Sequence, residues 1–234
     1  MERLKKYAQN INVQLDSTAI NRFEKYMNIV LEWNTKINLT SITDKDEFIV
    51  KHFCDSISVI ANVDIPQNSK IIDIGTGAGF PAIPILIARP DLKITMLDSL
   101  NKRLIFIKEQ VLPALDLNAS VVHARAEEFS HKSEYRENFD FAVSRAVANL
   151  SALSEYCIPF VKVGGKFISM KGFDSEDEIS VAQNAIEILG GKIVDVKKFV
   201  LPDNSGRSIV ITDKIKNTPG KYPRRAVKIN KNPL

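Results

Sequence analysis

The sequence predicts an α/β fold: a doubly wound, mostly parallel seven-stranded sheet that ends in an antiparallel hairpin, preceded by a helical extension. Three observations predict it. From residue 70 onward, short apolar runs alternate with helical patterns, the signature of a parallel sheet with crossover helices. Glycines close the first of these strands, where a ligand crevice is expected. The last two strand patterns are joined only by Pro202–Gly206, too short for a crossover helix, so they pair antiparallel.

The elements follow in order. Asp16-Ser17-Thr18 offers helix caps, and Ile20, Phe23, Met27, Val30 and Leu31 behind it keep a 3.6-residue spacing. A helix is predicted over about 18–34. A second begins near Thr43, with Asp44, Asp46 and Glu47 favouring its positive end. Asp64-Ile65-Pro66-Gln67-Asn68 reads as a linker. Strands are then expected at 70–74, 93–97, 120–123, 139–143, 166–170, 192–200 and 207–213. Helices are expected at 82–88, 102–112, 150–161 and 176–189, the last stopped by Gly190-Gly191. The expected division is a helical extension over 1–62, a core over 63–215 and a basic tail over 216–234.

The 234 residues are 44% hydrophobic and 26% charged, which excludes disordered, collagen-like and coiled-coil classes. No apolar run is long enough to span a membrane. The start, MERLKKYAQN, lacks the apolar stretch of a secretory signal. Cys54 and Cys157 form no Cys-x-x-Cys pair, so neither a disulfide framework nor a metal site is expected. A reducing cytoplasm is the expected compartment. The net charge of +4 is unevenly spread: residues 214–234 hold seven basic and no acidic groups. A basic tail on a neutral-to-acidic body points to a polyanionic partner, with a merely solubilising tail as the bland alternative.

The central motif is Asp73-Ile74-Gly75-Thr76-Gly77-Ala78-Gly79-Phe80. A dinucleotide fingerprint remains possible through Gly77, Gly79 and Ala82, although that register falls late, beside Pro81. A phosphate loop would need Gly-Lys-Ser/Thr, which is absent. Asp98 ends the second strand about 20 residues on, where an acid accepts ribose hydroxyls. That serves NAD and S-adenosylmethionine alike. Asp73, just before the glycines, is expected to order the turn and face a cationic amino-acid moiety, and it would repel a pyrophosphate. The residues favour adenosylmethionine; a glycine turn with no ligand stays open.

The chain also resembles the RsmG family, or glucose-inhibited division protein B. The resemblance runs through Leu31-Glu32-Trp33-Asn34, Asn38-Leu39-Thr40, Lys51-His52-Phe53, Asp55-Ser56 and the glycine motif through Pro81. It continues in Leu97-Asp98-Ser99-Leu100-Asn101-Lys102-Arg103, Arg125-Ala126-Glu127, Ser144-Arg145-Ala146 and Lys221-Tyr222-Pro223-Arg224. The resemblance implies a class I methyltransferase, Rossmann-like fold. It implies transfer of a methyl group from S-adenosyl-L-methionine to N7 of a guanosine, nucleotide 527, in 16S ribosomal RNA or the small ribosomal subunit. It further implies that Gly75, Gly77 and Phe80 belong to the cofactor loop, that Asp98 accepts the ribose, that Ala126 and Glu127 read the adenine, and that Arg145, ending the fourth strand, is a cofactor-binding position.

Guanine N7 carries its lone pair at neutral pH, so no general base is needed and no catalytic acid or base is named. Ser144-Arg145-Ala146-Val147 stands where base-dependent methyltransferases carry an Asn-Pro-Pro-Tyr-like signature. Alignment alone can supply roughly 7–11 kcal/mol. His52, His123 and His131 are expected to be structural, and Trp33 to pack the extension against the sheet. Expected RNA contacts are Lys171, Lys221, Tyr222, Arg224 and Arg225: cations for phosphates and an aromatic for a splayed base. Beyond Arg224 the chain has Ala226-Val227-Lys228 where the family commonly places Gly-x-Pro. Rival readings are a non-catalytic RNA-binding module, a nucleotide-dependent oxidoreductase, and a methyltransferase with a protein or small-molecule acceptor.

Overall fold

The computed structural model describes residues 1–145 and 148–234. Helices α1 (Glu2–Asn10) and α2 (Ser17–Asn34) lead into α3 (Lys45–Phe48), a π-helical stretch Ile49–Cys54, and α4 (Asp55–Asn62). Asp16 caps α2 by accepting the Ala19 N–H at 2.7 Å, and Asp44 caps α3 through Glu47 N–H at 2.8 Å. The core follows as β1 (Lys70–Ile74), α5 (Ala82–Ala88), β2 (Lys93–Asp98), α6 (Asn101–Phe106), a π-helical stretch Ile107–Val111 and α7 (Leu112–Leu115). Then come β3 (Ser120–His123), α8 (Ala126–Phe129), β4 (Phe139–Arg145), α9 (Leu150–Cys157) and β5 (Val161–Gly172). The chain ends with α10 (Glu176–Ile188), β6 (Gly191–Val200), β7 (Gly206–Lys214) and α11 (Ala226–Lys231).

The seven strands lie in the order β3-β2-β1-β4-β5-β7-β6. The first five pair parallel, and β7 runs antiparallel between β5 and β6. This is the doubly wound α/β sheet with an antiparallel hairpin that the sequence predicts, and the class I methyltransferase, Rossmann-like arrangement that the resemblance implies. Alternate residues of β1 serve opposite faces: Ile71 joins one core cluster, Ile72 and Ile74 the other. Asp73 therefore shares the face of Ile71, the one covered by the amino-terminal helices. Phe23, Tyr26, Phe48 and Phe53 from those helices lie in the same cluster as Ile71, Phe80 and Ile83, so packing is continuous across residue 62.

Three helices go beyond the sequence pattern. α1 carries Leu4, Tyr7 and Ala8 inward, and the Tyr7 hydroxyl meets Ser58 Oγ at 2.7 Å. α8 and α11 are a single turn or little more, too short for a periodic signal. Among the described residues, no helix is long and apolar enough to cross a membrane.

Candidate active site

The carboxyl ends of β1 to β4 border one cleft of about 560 Å3, the crevice where open α/β sheets bind ligands. Gly75, Gly77, Phe80, Asp98, Ala126, Glu127 and Arg145 all line it. Gly75 and Gly77 turn the chain at φ 74° and 60°, a region that favours glycine. A Cβ on Gly77 would meet nothing within 4 Å, so the backbone there is open to a ligand. Gly79 serves packing instead. Its φ is 109°, and a Cβ would lie 2.8 Å from the Tyr26 hydroxyl, which donates to Ala78 O at 2.8 Å. Helix α2 thereby braces the glycine loop.

The loop amides are already engaged. The N–H groups of Gly75 and Thr76 donate to Leu97 O, and those of Gly79 and Phe80 to Thr76 O. Gly77 N–H donates to Asp98 Oδ2 at 2.9 Å, while Asp98 Oδ1 accepts from Leu100 N–H at 2.8 Å. A pyrophosphate would need such donors free. The open faces of the cleft instead present acceptors, the carboxylates of Asp98 and Glu127, suited to hydroxyl and amino donors. Those acceptors fit the ribose hydroxyls and amino groups of an adenosyl sulfonium compound.

Asp73 departs from expectation. It is fully buried and does not line the cleft, so it does not face a ligand there; the Thr76 side chain and the Ala82 N–H of the glycine turn favour its charged form against burial. Burial pushes its pKa up to about 7. It sits under the amino-terminal helices because the β1 pleat sends it to that face.

His52 also departs from expectation, because it lines the cleft. Its ring stacks on Phe80 with centroids 4.3 Å apart and planes at 11°. Arg145 Nη2 donates to His52 Nδ1 at 3.1 Å, and Thr40 Oγ1 lies 2.8 Å from Nε2. Arginine can only donate, so Nδ1 is the acceptor and the ring proton sits on Nε2, facing Thr40. Burial first, then the Arg145 charge, lowers the His52 pKa to about 3. Both ring nitrogens are thus engaged and the imidazole is neutral. Arg145 Nη1 also donates to Lys51 O at 3.1 Å and Asp55 Oδ2 at 3.0 Å, and its guanidinium lies 5.1 Å from the Phe80 centroid. Asp55 is shared with Arg207, at 3.4 Å. Burial raises the Asp55 pKa against the pull of those two cations. The π-helical stretch turns Lys51 O and His52 toward the cleft; such bulges are frequent at functional sites.

The signal for this wall lies in the motif Asn38-Leu39-Thr40. Asn34 Oδ1 accepts the N–H of Leu39 and Thr40, and Leu39 lines the cleft. Tyr156 and Asn230, also on the lining, carry no sequence signal. Trp33 packs on Phe106 at 5.7 Å. His123 Nε2 lies 3.1 Å from Ser99 O, and His131 Nε2 donates to Pro223 O at 3.0 Å. Ala146 of the resemblance lies outside the described residues.

The expected RNA contacts divide. Lys221 and Arg225 are exposed. The other three are held inside the protein. Lys171 Nζ donates to Glu178 at 2.7 Å and Ala148 O at 2.8 Å. Tyr222 is buried. Arg224 forms a two-pronged ion pair with Glu155, Nε–Oε1 2.8 Å and Nη2–Oε2 2.7 Å. A second hollow of about 530 Å3, lined by Arg125, His131 and Arg225 among others, shares Arg125, Glu127 and Ala226 with the cleft. Among the described residues, no group of three or more His, Cys, Asp or Glu side chains could hold a metal.

Comparison with known proteins agrees with this geometry. The model of the GidB family, rRNA small subunit methyltransferase G, matches residues 19–208. The chain is 50% identical over 229 residues to the ribosomal RNA small subunit methyltransferase G of Acetivibrio thermocellus, covering 97% of this chain and 93% of that protein. It is 47% identical over 224 residues to that of Desulforamulus reducens, covering 95% and 93%. Among solved structures it is similar in fold to TrmN from Thermus thermophilus (TM-score 0.53, 14% identity, 68% of this chain and 48% of that one). It is similar also to M. jannaschii TYW2 in complex with AdoMet (TM-score 0.51, 14% identity, 64% and 70%).

Proposed function

Because the chain belongs to the GidB family, rRNA small subunit methyltransferase G, and is thereby an S-adenosylmethionine-dependent methyltransferase of 16S ribosomal RNA, we propose that it methylates N7 of a guanosine, nucleotide 527, by direct in-line transfer. One observation carries this finer reading. The glycine loop, Asp98, Ala126-Glu127 and Arg145 converge on one cleft, and the imidazole on its wall, His52, is neutral and hydrogen-bonded at both nitrogens.

When bound, the cofactor supplies a methyl group made electrophilic by its sulfonium. In this reading Asp98 holds the ribose hydroxyls. Glu127, with the Ala126 backbone, meets the adenine amino group. Gly75 and Gly77 let the main chain approach the amino-acid portion. The His52 ring stacks on Phe80, and the Arg145 guanidinium sits beside both, holding His52 Nδ1 and lying 5.1 Å from the Phe80 centroid; in this reading the three form a floor at the acceptor end. None of these groups has to take a proton, because N7 has none to lose. The rate then comes from alignment. Lys221 and Arg225, with Arg125 in the adjoining hollow, supply phosphate contacts. The other three expected contacts support the fold around them.

The test is transfer of labelled methyl to 16S ribosomal RNA from cells lacking the protein, with the modified atom mapped. Label at N7 of nucleotide 527 is the expected result. Label on an exocyclic nitrogen or a ribose oxygen would overturn the N7 reading. Failure of S-adenosylmethionine to raise the melting temperature, with NAD raising it, would favour the redox rival.

A further inference from the structure

The matched family region ends at residue 208, and the basic segment beyond it reads as a loose RNA tail. The structure gives it another shape. Arg136 donates to Thr218 O at 2.8 Å and Tyr222 O at 3.0 Å, tying the segment down. Arg224 then locks onto Glu155, a carboxylate with 0% exposure on α9, by both side-chain prongs and by its own N–H at 2.7 Å. A fully buried carboxylate needs such a partner, so the ion pair works as a pin. Past the pin, α11 buries Ile229 completely in the second core cluster. Its neighbours Ala226 and Asn230 lie on the lining of the cleft. Asn230 Oδ1 accepts from the Tyr156 hydroxyl at 3.1 Å, which leaves the Asn230 amide N–H groups as donors. Tyr156 lines the same cleft, close enough to Glu127 for that carboxylate to help burial raise the phenol pKa.

We propose that residues 222–230 are a wall of the cofactor cleft at its adenine end, with Arg224–Glu155 as the pin and Asn230 as a side chain that meets the adenosyl group. The inference rests on the reading of Ala126 and Glu127 as the adenine side. Glu127 accepts and the Asn230 amide donates, a pairing that suits an adenine edge, which carries both an amino donor and ring-nitrogen acceptors. The segment is thus part of the donor site as well as a basic surface.

The test is calorimetric binding of S-adenosylhomocysteine to the full-length chain and to Asn230→Ala and Ala226→Leu, with melting temperatures measured alongside. Both substitutions leave the Arg224–Glu155 pin in place. Asn230→Ala should weaken binding about three- to tenfold, the size of one neutral hydrogen bond. Ala226→Leu, which narrows the cleft, should weaken it at least as much. RNA affinity and its salt dependence should hold in both. A second readout is trypsin cleavage after Arg225 and Lys228: S-adenosylhomocysteine should slow it in a concentration-dependent way. Native affinity in both variants, with no protection from trypsin, overturns the proposal. Failure of the native chain to bind S-adenosylhomocysteine at all would instead overturn the cofactor reading on which it rests.

Discussion

Two flanks hold the cleft, and they are built from different physics. On the amino-terminal flank, Phe23, Tyr26, Phe48, Phe53 and Phe80 form a packed aromatic cluster with ring centroids 4.8 to 6.4 Å apart in the touching pairs. Beside that cluster, Arg145 shares Asp55 with Arg207. On the carboxy-terminal flank, position is set by charge: Arg136 on backbone carbonyls, Lys214 on Glu137 at 3.0 Å, and Arg224 on Glu155. Apolar packing spreads its stability over many neighbours, whereas a buried ion pair concentrates it in one. The flanks should therefore respond differently to removal of a single side chain.

Matched substitutions test this most sharply. Arg224→Met leaves Glu155 buried with no cation and should cost about 3–5 kcal/mol in urea unfolding. Arg145→Met leaves Asp55 still facing Arg207, so its stability cost should be smaller. Its catalytic cost should be large, about a hundredfold in single-turnover rate, because His52 loses the donor at Nδ1 that fixes its ring on Phe80. Equal stability losses would mean that Arg207 does not compensate for Arg145.

Asp73 sharpens the comparison from beneath the apolar flank. Its folded pKa of about 7 exceeds its ordinary 3.8. A raised carboxyl favours the folded state fully below 3.8, and that contribution is lost as pH rises through 7. Asp73→Asn should therefore gain on the native chain between pH 4 and 7, by on the order of 2–4 kcal/mol, and hold that gain above. Urea midpoints at pH 5 and pH 8 measure it. A gap unchanged between the two would mean the carboxyl titrates as if solvated.

The same contrast explains what can be read in advance. The sheet, its hairpin and the long helices are legible because alternation and 3.6-residue spacing are properties of the chain itself. The glycine turns and the acid after β2 are legible because they sit at fixed places in such a sheet. His52 is not. An apolar helix pattern does not tell which of its polar members faces a crevice, and the π-helical stretch shifts the face. The tail misleads because charge counts cannot separate a solvated arginine from one pinned to a buried glutamate 69 residues away. Asp73 misleads in exposure: its place before the glycines suggests the cleft, but it is fully buried on the β1 face that the amino-terminal helices cover and is not on the lining.

His52 should give a smaller, pH-marked effect. Its folded pKa of about 3 lies below the ordinary 6.5, so its contribution to stability is present above 6.5 and declines as pH falls toward 3. The single-turnover rate should stay flat through neutral pH, since the imidazole gains no proton there. His52→Asn, which can keep an acceptor near Arg145, should retain more activity than His52→Ala, by about three- to tenfold. A rate that climbs with one ionisation near pH 6.5 would make His52 a proton acceptor.

The smallest effect belongs to the exposed cations of the charged flank. Lys221→Ala and Arg225→Ala remove side chains that carry no internal ion pair among the described residues. Melting temperature should not move. For single-stranded RNA, removing one cation that neutralises a phosphate should flatten the slope of log affinity against log salt by about 0.7. Arg224→Met offers the internal control: it should lower stability while its own effect on the salt slope stays near zero, because its charge is neutralised by Glu155 before RNA arrives. A slope change for Arg224 equal to that of Arg225 would mean the pin opens when RNA binds, and the two flanks would then differ in mobility as well as in chemistry.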